Sequence, residues 1–249
     1  MDATTGRLTA APQRHVRSRV YIGFALLVLA SALIGFFTTF IRPVWRGEFH
    51  GPWLAHVHGA LLGLWLLVFL AQTLLVRARR VATHRTLGWV GVALVPLVAV
   101  STFAMGVFAM RRDLAAGLGE LATSTLLGTL TSPLIFAGLV CAAVLNRRNS
   151  EAHKRLMLLA LLAITWPAFF RFRHYFPGVP RPDIWFALLL PQALLVLAML
   201  HDKLRLGHVH RVYWTVGLAF MAEAVAETLL FDSPGWRVLA HAVAAPFLP

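Results

Sequence analysis

Residues 53–76 read WLAHVHGALLGLWLLVFLAQTLLV. No Asp, Glu, Lys or Arg interrupts these 24 residues. A helix that crosses a bilayer needs about 20 apolar residues, so this stretch is long enough to span. Six further runs repeat the pattern on either side, near 20–41, 87–110, 122–145, 156–176, 184–201 and 212–231. The last carries Glu223 and Glu227 within it. The expectation is an all-α, polytopic integral membrane protein, a bundle of about seven transmembrane helices.

Composition agrees. The chain of 249 residues is 59% hydrophobic and only 13% charged, against about 25% charged for a soluble domain. The same figures exclude disorder. One cysteine, Cys141, excludes a disulfide framework and any cysteine-based zinc or iron–sulfur site. The loops are short, so residues 1–249 form a single domain. Residues 1–19 are expected as a basic cytoplasmic tail, and 232–249 as an interfacial extracytoplasmic tail. The first apolar run is full length, so a retained helix rather than a cleaved signal is expected.

The net charge of +13 follows from topology rather than from nucleic-acid binding. No basic stripe is interleaved with aromatics outside the apolar runs. Of the Lys and Arg residues, fifteen fall in the N-terminal segment and the second, fourth and sixth loops, and eight on the other side. The positive-inside rule then places the N-terminus in the cytoplasm and, with seven helices, the C-terminus outside. A bacterial inner membrane suits this pattern, and its basic face would attract anionic lipid.

Eleven histidines are the unusual feature. Topology sorts most into two layers. His50, His56, His58, His174 and His241 lie at outer helix ends, and His84, His153, His201, His208 and His210 at inner ends. Interfacial histidines serve as amphipathic anchors, and the clusters around His56/His58, His84 and His153 also suit ligation. His58, Trp65 and Gln72 form one helical stripe, while His56, Gly59 and Gly63 lie on a neighbouring face. Small residues there admit a helix or a flat ligand. His84-Arg85 opens the third run and His153-Lys154-Arg155 the fifth, with Ser150 as the expected cap of the latter. In both, a histidine adjoins cations, which suits a haem or quinone site near the inner face with the cations binding propionates or lipid phosphates.

The stretch HGALLGLWLLVFLAQTLLVRARRVATHRTLGWVG resembles the segment of ascorbate-type transmembrane cytochromes b that carries an intramembrane histidine and a later His-Ser-Trp-Leu-Gly motif. Here that motif reads His84-Arg85-Thr86-Leu87-Gly88-Trp89, with the Trp displaced. With SEAHKRLMLLA, the whole pattern is similar to that of uncharacterised bacterial multi-pass membrane proteins. The resemblance covers about residues 53–175. It implies haem b, with His58, His84 and His153 at the ligand-bearing positions and Arg85 and Arg155 as neighbouring cations. Those cytochromes pair histidines of equal depth, so His84 with His153 is the depth-matched pair.

Three functional expectations follow. The first is a haem-binding electron-transfer protein working with a quinone or another redox partner. The second is a membrane enzyme with zinc or iron held by His56, His58, His174 and Glu227. The third is a proton-coupled transporter or assembly factor using Glu223 and Glu227 as a relay, since intramembrane carboxylates default to function. His58, His174 and Arg171 are expected to converge at the outer end, and Pro167 to kink the fifth helix. Oligomeric state is left open by the sequence. A reporter fused after Arg80 is predicted to be cytoplasmic and one fused at Pro249 extracytoplasmic; a cytoplasmic readout at Pro249 would remove the seventh span.

Overall fold

The computed structural model describes residues 19–248, so nearly all of the expected N-terminal tail lies outside the described residues. Among the described residues the regular structure is helical throughout, with no strand. The apolar runs become α1 Val20–Arg46, α2 Trp53–Arg77, α3 Val81–Ala115, α4 Glu120–Leu145, α5 Ser150–His174 and α6 Asp183–Leu206, each long and apolar enough to cross a membrane. Two more helices, α7 Tyr213–Leu230 and α8 Pro234–Phe247, meet at 91°. Read as one bent unit they make a seventh span. The fold is therefore an all-α, multi-pass bundle of six or seven spans. Leu33, Leu67, Val100, Leu134 and Leu197 face outward and are exposed, as side chains bathed in lipid are.

The chain reverses at every loop, so the bundle has two ends. One end gathers Arg77, Arg79, Arg80, Arg147, Arg148 and Lys203 and is here the basic end. The far end holds the starts of α2, α4 and α6 and the ends of α1, α3, α5 and α7.

The fifth helix is the centre of the bundle. Of its apolar window 61% is buried, against 22–33% for the other five spans. Leu158 to Leu162 are each at most 1% exposed, because an all-round apolar helix must be covered on every face. It packs on α1, α4, α6 and α7. On α1 the approach is close enough that a Cβ on Gly35 would lie 2.3 Å from the Ala168 carbonyl oxygen, so only glycine fits. Gly106 of α3 instead makes room for the Thr129 side chain of α4.

Local chemistry sets the ends and breaks of α5. Asn149, not Ser150, is the N-cap, and its side chain accepts from the Ala152 N–H. Helical geometry ends at Ala163 and resumes at Trp166. Pro167 has no N–H to return to the carbonyl four residues earlier, that of Ala163, and its ring crowds that carbonyl. The Thr165 hydroxyl donates instead to the Leu162 carbonyl.

The C-terminal segment expected at the interface is the helix α8. Ser233 caps it by accepting from Trp236 N–H. It docks on the start of α4 through Trp236 Nε1 to the Ser124 carbonyl at 3.0 Å and Arg237 to both Asp232 and Glu120. The Arg237 fork and the Ser124 hydroxyl hold the Asp232 carboxyl below the usual carboxylate range.

An ion network lies inside the basic end. Arg155 is 2% exposed and its partner Asp202 is 3% exposed. Nε and NH2 of Arg155 donate to the two Asp202 oxygens at 2.7 and 2.8 Å, a bidentate pair. NH1 donates to the Glu151 carbonyl and carboxylate at 2.8 and 2.7 Å. The Tyr213 ring flanks the guanidinium at 5.8 Å, and Tyr21 is hydrogen-bonded to Tyr213. The His210 N–H reaches Asp202 at 3.3 Å. The network therefore joins α1, α5, α6 and the entry to α7. Removing one partner strands a buried charge, which typically costs about 3–5 kcal/mol. Asp202→Leu alone is predicted to destabilise the detergent-solubilised protein by that order, and Arg155→Met with Asp202→Leu to recover most of it; unfolding transitions in mixed micelles measure both.

Candidate functional site

The basic end brings His84 and His153 together. His84 lies in the first turn of α3 and His153 in that of α5, and α4 packs against both helices. The two ring centroids are 6.4 Å apart with the planes at 89°. His153 Nδ1 lies 2.8 Å from the Ala143 carbonyl of α4. A carbonyl only accepts, so Nδ1 carries the hydrogen and the neutral ring leaves Nε2 with a free lone pair. His84 Nδ1 is buried with no hydrogen-bond partner, while its ring interacts with the main chain of Gln72. The Gln72 Oε1 is likewise buried and unpartnered, and Gly88, one turn after His84, lets the Gln72 amide approach. Two imidazoles and an amide thus meet between α2, α3 and α5, with acceptor atoms that nothing in the fold satisfies.

The neighbouring cations divide. Arg85 is exposed beside His84. Arg155, expected to hold an anionic group of a cofactor, instead spends four of its five N–H groups on Asp202 and Glu151. Lys154 pairs with Glu151 at 2.7 Å.

At the far end His58 Nδ1 is 3.1 Å from Ser101 Oγ of α3. That hydroxyl donates to the Val98 carbonyl at 3.0 Å, so it accepts from His58, and Nε2 of His58 keeps its lone pair. Arg171 lies within electrostatic range of both His58 and His174. His56 is wedged between the Phe40 and Phe49 rings, with centroids at 5.4 and 5.1 Å. The expected glycine face is only half used. Gly59 contacts Phe40, and a Cβ on Gly63 would meet nothing within 4 Å. Among the described residues no three His, Cys, Asp or Glu side chains gather to hold a metal ion. His56, His58, His174 and Glu227 are therefore not assembled as one donor set.

Glu227 goes to α4 instead. Its Oε2 accepts from Thr131 Oγ1 at 2.8 Å, and Gly128 makes room for its Oε1. Glu223 lies one turn before Glu227 on the same face of α7, within interaction distance of it. The Oε1 of Glu223 is buried without a partner.

Comparison with protein-family models, with curated proteins and with solved structures gives no match. The functional reading therefore rests on this geometry.

The sequence did not single out Asp202, Glu151, Ser101 or Gln72's free oxygen. A signal existed for the first two. Glu151 and Arg155 are spaced four apart on one helix face, and Asp202 is the only acidic residue between the sixth apolar run and the seventh. Ser101 carries no such signal, because a hydroxyl in an apolar run more often bonds its own helix. In a Cys141→Ala background, His84→Cys with His153→Cys is predicted to form an intramolecular cross-link with a short bis-maleimide, and His84→Cys with His174→Cys is not; gel mobility reads both.

Proposed function

We propose that the chain is a haem b-binding electron-transfer protein of a bacterial inner membrane, with the cofactor held between His84 and His153. The observation that carries the reading is the pair of rings at 6.4 Å. Two nitrogens on opposite faces of one iron, each about 2 Å from it, place imidazole centroids about 6 Å apart. The hydrogen-bonding fits the same role. A ligating histidine characteristically donates its other N–H to a carbonyl, as His153 does to Ala143. The unpartnered His84 Nδ1 is a donor atom awaiting an acceptor of its lone pair.

The chain's own residues have defined tasks in this reading. His84 and His153 ligate. The Ala143 carbonyl fixes the tautomer and ring orientation of His153. Exposed Arg85 compensates a propionate, while Arg155 stays in the structural network. The apolar walls of α3 and α4 exclude water. Bound haem would supply one-electron transfer, between a quinol or small reductant and an acceptor. The resemblance to ascorbate-type cytochromes b and the positive-inside arrangement, N-terminus cytoplasmic and C-terminus extracytoplasmic, point the same way.

A second reading has one observation in its favour. The Glu223–Glu227 pair, one turn apart on α7, suits a proton relay in a transporter or assembly factor.

Protein expressed with a haem precursor and purified in detergent is predicted to show a reduced b-type α-band with about one haem per chain. His84→Ala or His153→Ala lowers the haem content at least tenfold while the protein still inserts, and His58→Ala leaves it intact. Colourless wild-type protein, or both variants retaining full haem, overturns the reading.

A further inference from the structure

The two deep arginines of α5 are treated differently. Arg155 at the basic end has two carboxylates. Arg171, near the far end, has no carboxylate partner among the described residues. Its one hydrogen bond to the protein is NH1 to the Pro167 carbonyl at 2.8 Å, within its own helix. The guanidinium stacks on the Phe36 ring of α1 with its carbon 3.9 Å from the centroid. Stacking leaves the in-plane fork of N–H groups free, since a flat guanidinium donates only at its edges.

The surroundings add positive charge and unused donors. Arg173 and Arg112 are within electrostatic range of Arg171. The nearest acidic group at the end of α3, Asp113, is already paired with Arg112 at 2.8 Å. On α1 the helix widens to π-geometry over Phe37–Ile41, a distortion that often marks functional segments. The hydroxyls of Thr38 and Thr39 in that bulge are buried with no hydrogen-bond partner. α1 and α5 run in the same direction, and Gly35 touches Ala168. Three or four residues further on each helix is one turn, so Thr38 and Thr39 stand level with Arg171. Across from them, His58 keeps a free Nε2.

A half-buried guanidinium without a counter-ion and two buried hydroxyls without acceptors want the same thing, an oxyanion. We propose that Arg171, Thr38 and Thr39 form a binding site at the far end of the bundle for a phosphate or carboxylate group. The guanidinium fork grips two of its oxygens and the threonine hydroxyls donate to it, with Arg112 and Arg173 drawing it in. The group comes either from a lipid headgroup or from a small anionic solute. The site lies at the opposite end from the proposed haem and stands independently of it.

The test uses the full chain in phosphatidylcholine nanodiscs, with native mass spectrometry and calorimetry. Purified wild type either retains one anionic phospholipid, which identifies the headgroup source, or is lipid-free and binds inorganic phosphate or succinate in titration, which identifies the solute. In either case Arg171→Gln is expected to weaken retention or binding at least tenfold. Thr38→Val with Thr39→Val, which keeps every charge, lowers it several-fold, and Arg148→Gln, an exposed cation at the basic end, leaves it unchanged. Arg171→Lys retains part of the binding, because it keeps the charge and loses the fork. Gel filtration and haem content, where present, report that each variant is folded. No anionic lipid and no titrating anion on the folded wild type overturns the proposal, as does unchanged binding in folded Arg171→Gln.

Discussion

Inside a bilayer a guanidinium is tolerated only when its charge and its N–H groups are answered by protein, and Arg155 is answered in full. Its bidentate grip on Asp202 and its two bonds to Glu151 fix α5 against α6 in one register and one rotation. The tyrosine pair above the guanidinium extends that grip to α1 and α7. Hydrophobic packing alone would not do this, because lipid tails are as apolar as leucine and give helices little reason to choose one face. The leucine-rich middle of α5 fills space, and the ion network supplies direction. With α5 so fixed, His153 is presented toward α3, and Arg171 toward α1 and α2.

Polar side chains elsewhere serve as further directional contacts. The hydroxyl-rich face of α4 reaches α5 through Ser132 and Trp166 Nε1 at 3.1 Å, α7 through Thr131 and Glu227, and the α7–α8 corner through Ser124 and Asp232. The first two of these contacts lie within the spans, where water competes least. The close backbone approach at Gly35 and the Thr129 side chain seated on Gly106 bring the helices near enough for such short side chains to meet.

The spans were legible because length and apolarity are local properties, and α1 to α7 fall where the apolar runs fall. The proximity of His84 and His153 was also legible, since equal depth follows from topology. Rotation about each helix axis was not. Arg155 reads as a surface cation beside His153, but depth in sequence does not reveal that Asp202, 47 residues on, faces it. Glu227 was expected with the histidines around a metal or with Glu223 in a relay, and a glycine at 128 with a hydroxyl at 131 seats it on α4. The cap on Asn149 was missed by one residue because Ser150 and Asn149 are equally good chemical caps. The bend before α8 was hidden because Pro234 also suits the first turn of a helix.

The third helix runs 35 residues from Val81 to Ala115, roughly 52 Å at 1.5 Å per residue, while the hydrocarbon core is roughly 30 Å thick. It must lean or protrude. Because His84 sits in its first turn and Arg112 in its last, leaning displaces the two ends of the bundle in opposite lateral directions. Membrane thickness therefore sets the lean of a rod on which both polar ends are mounted, and a thinner bilayer favours a greater lean.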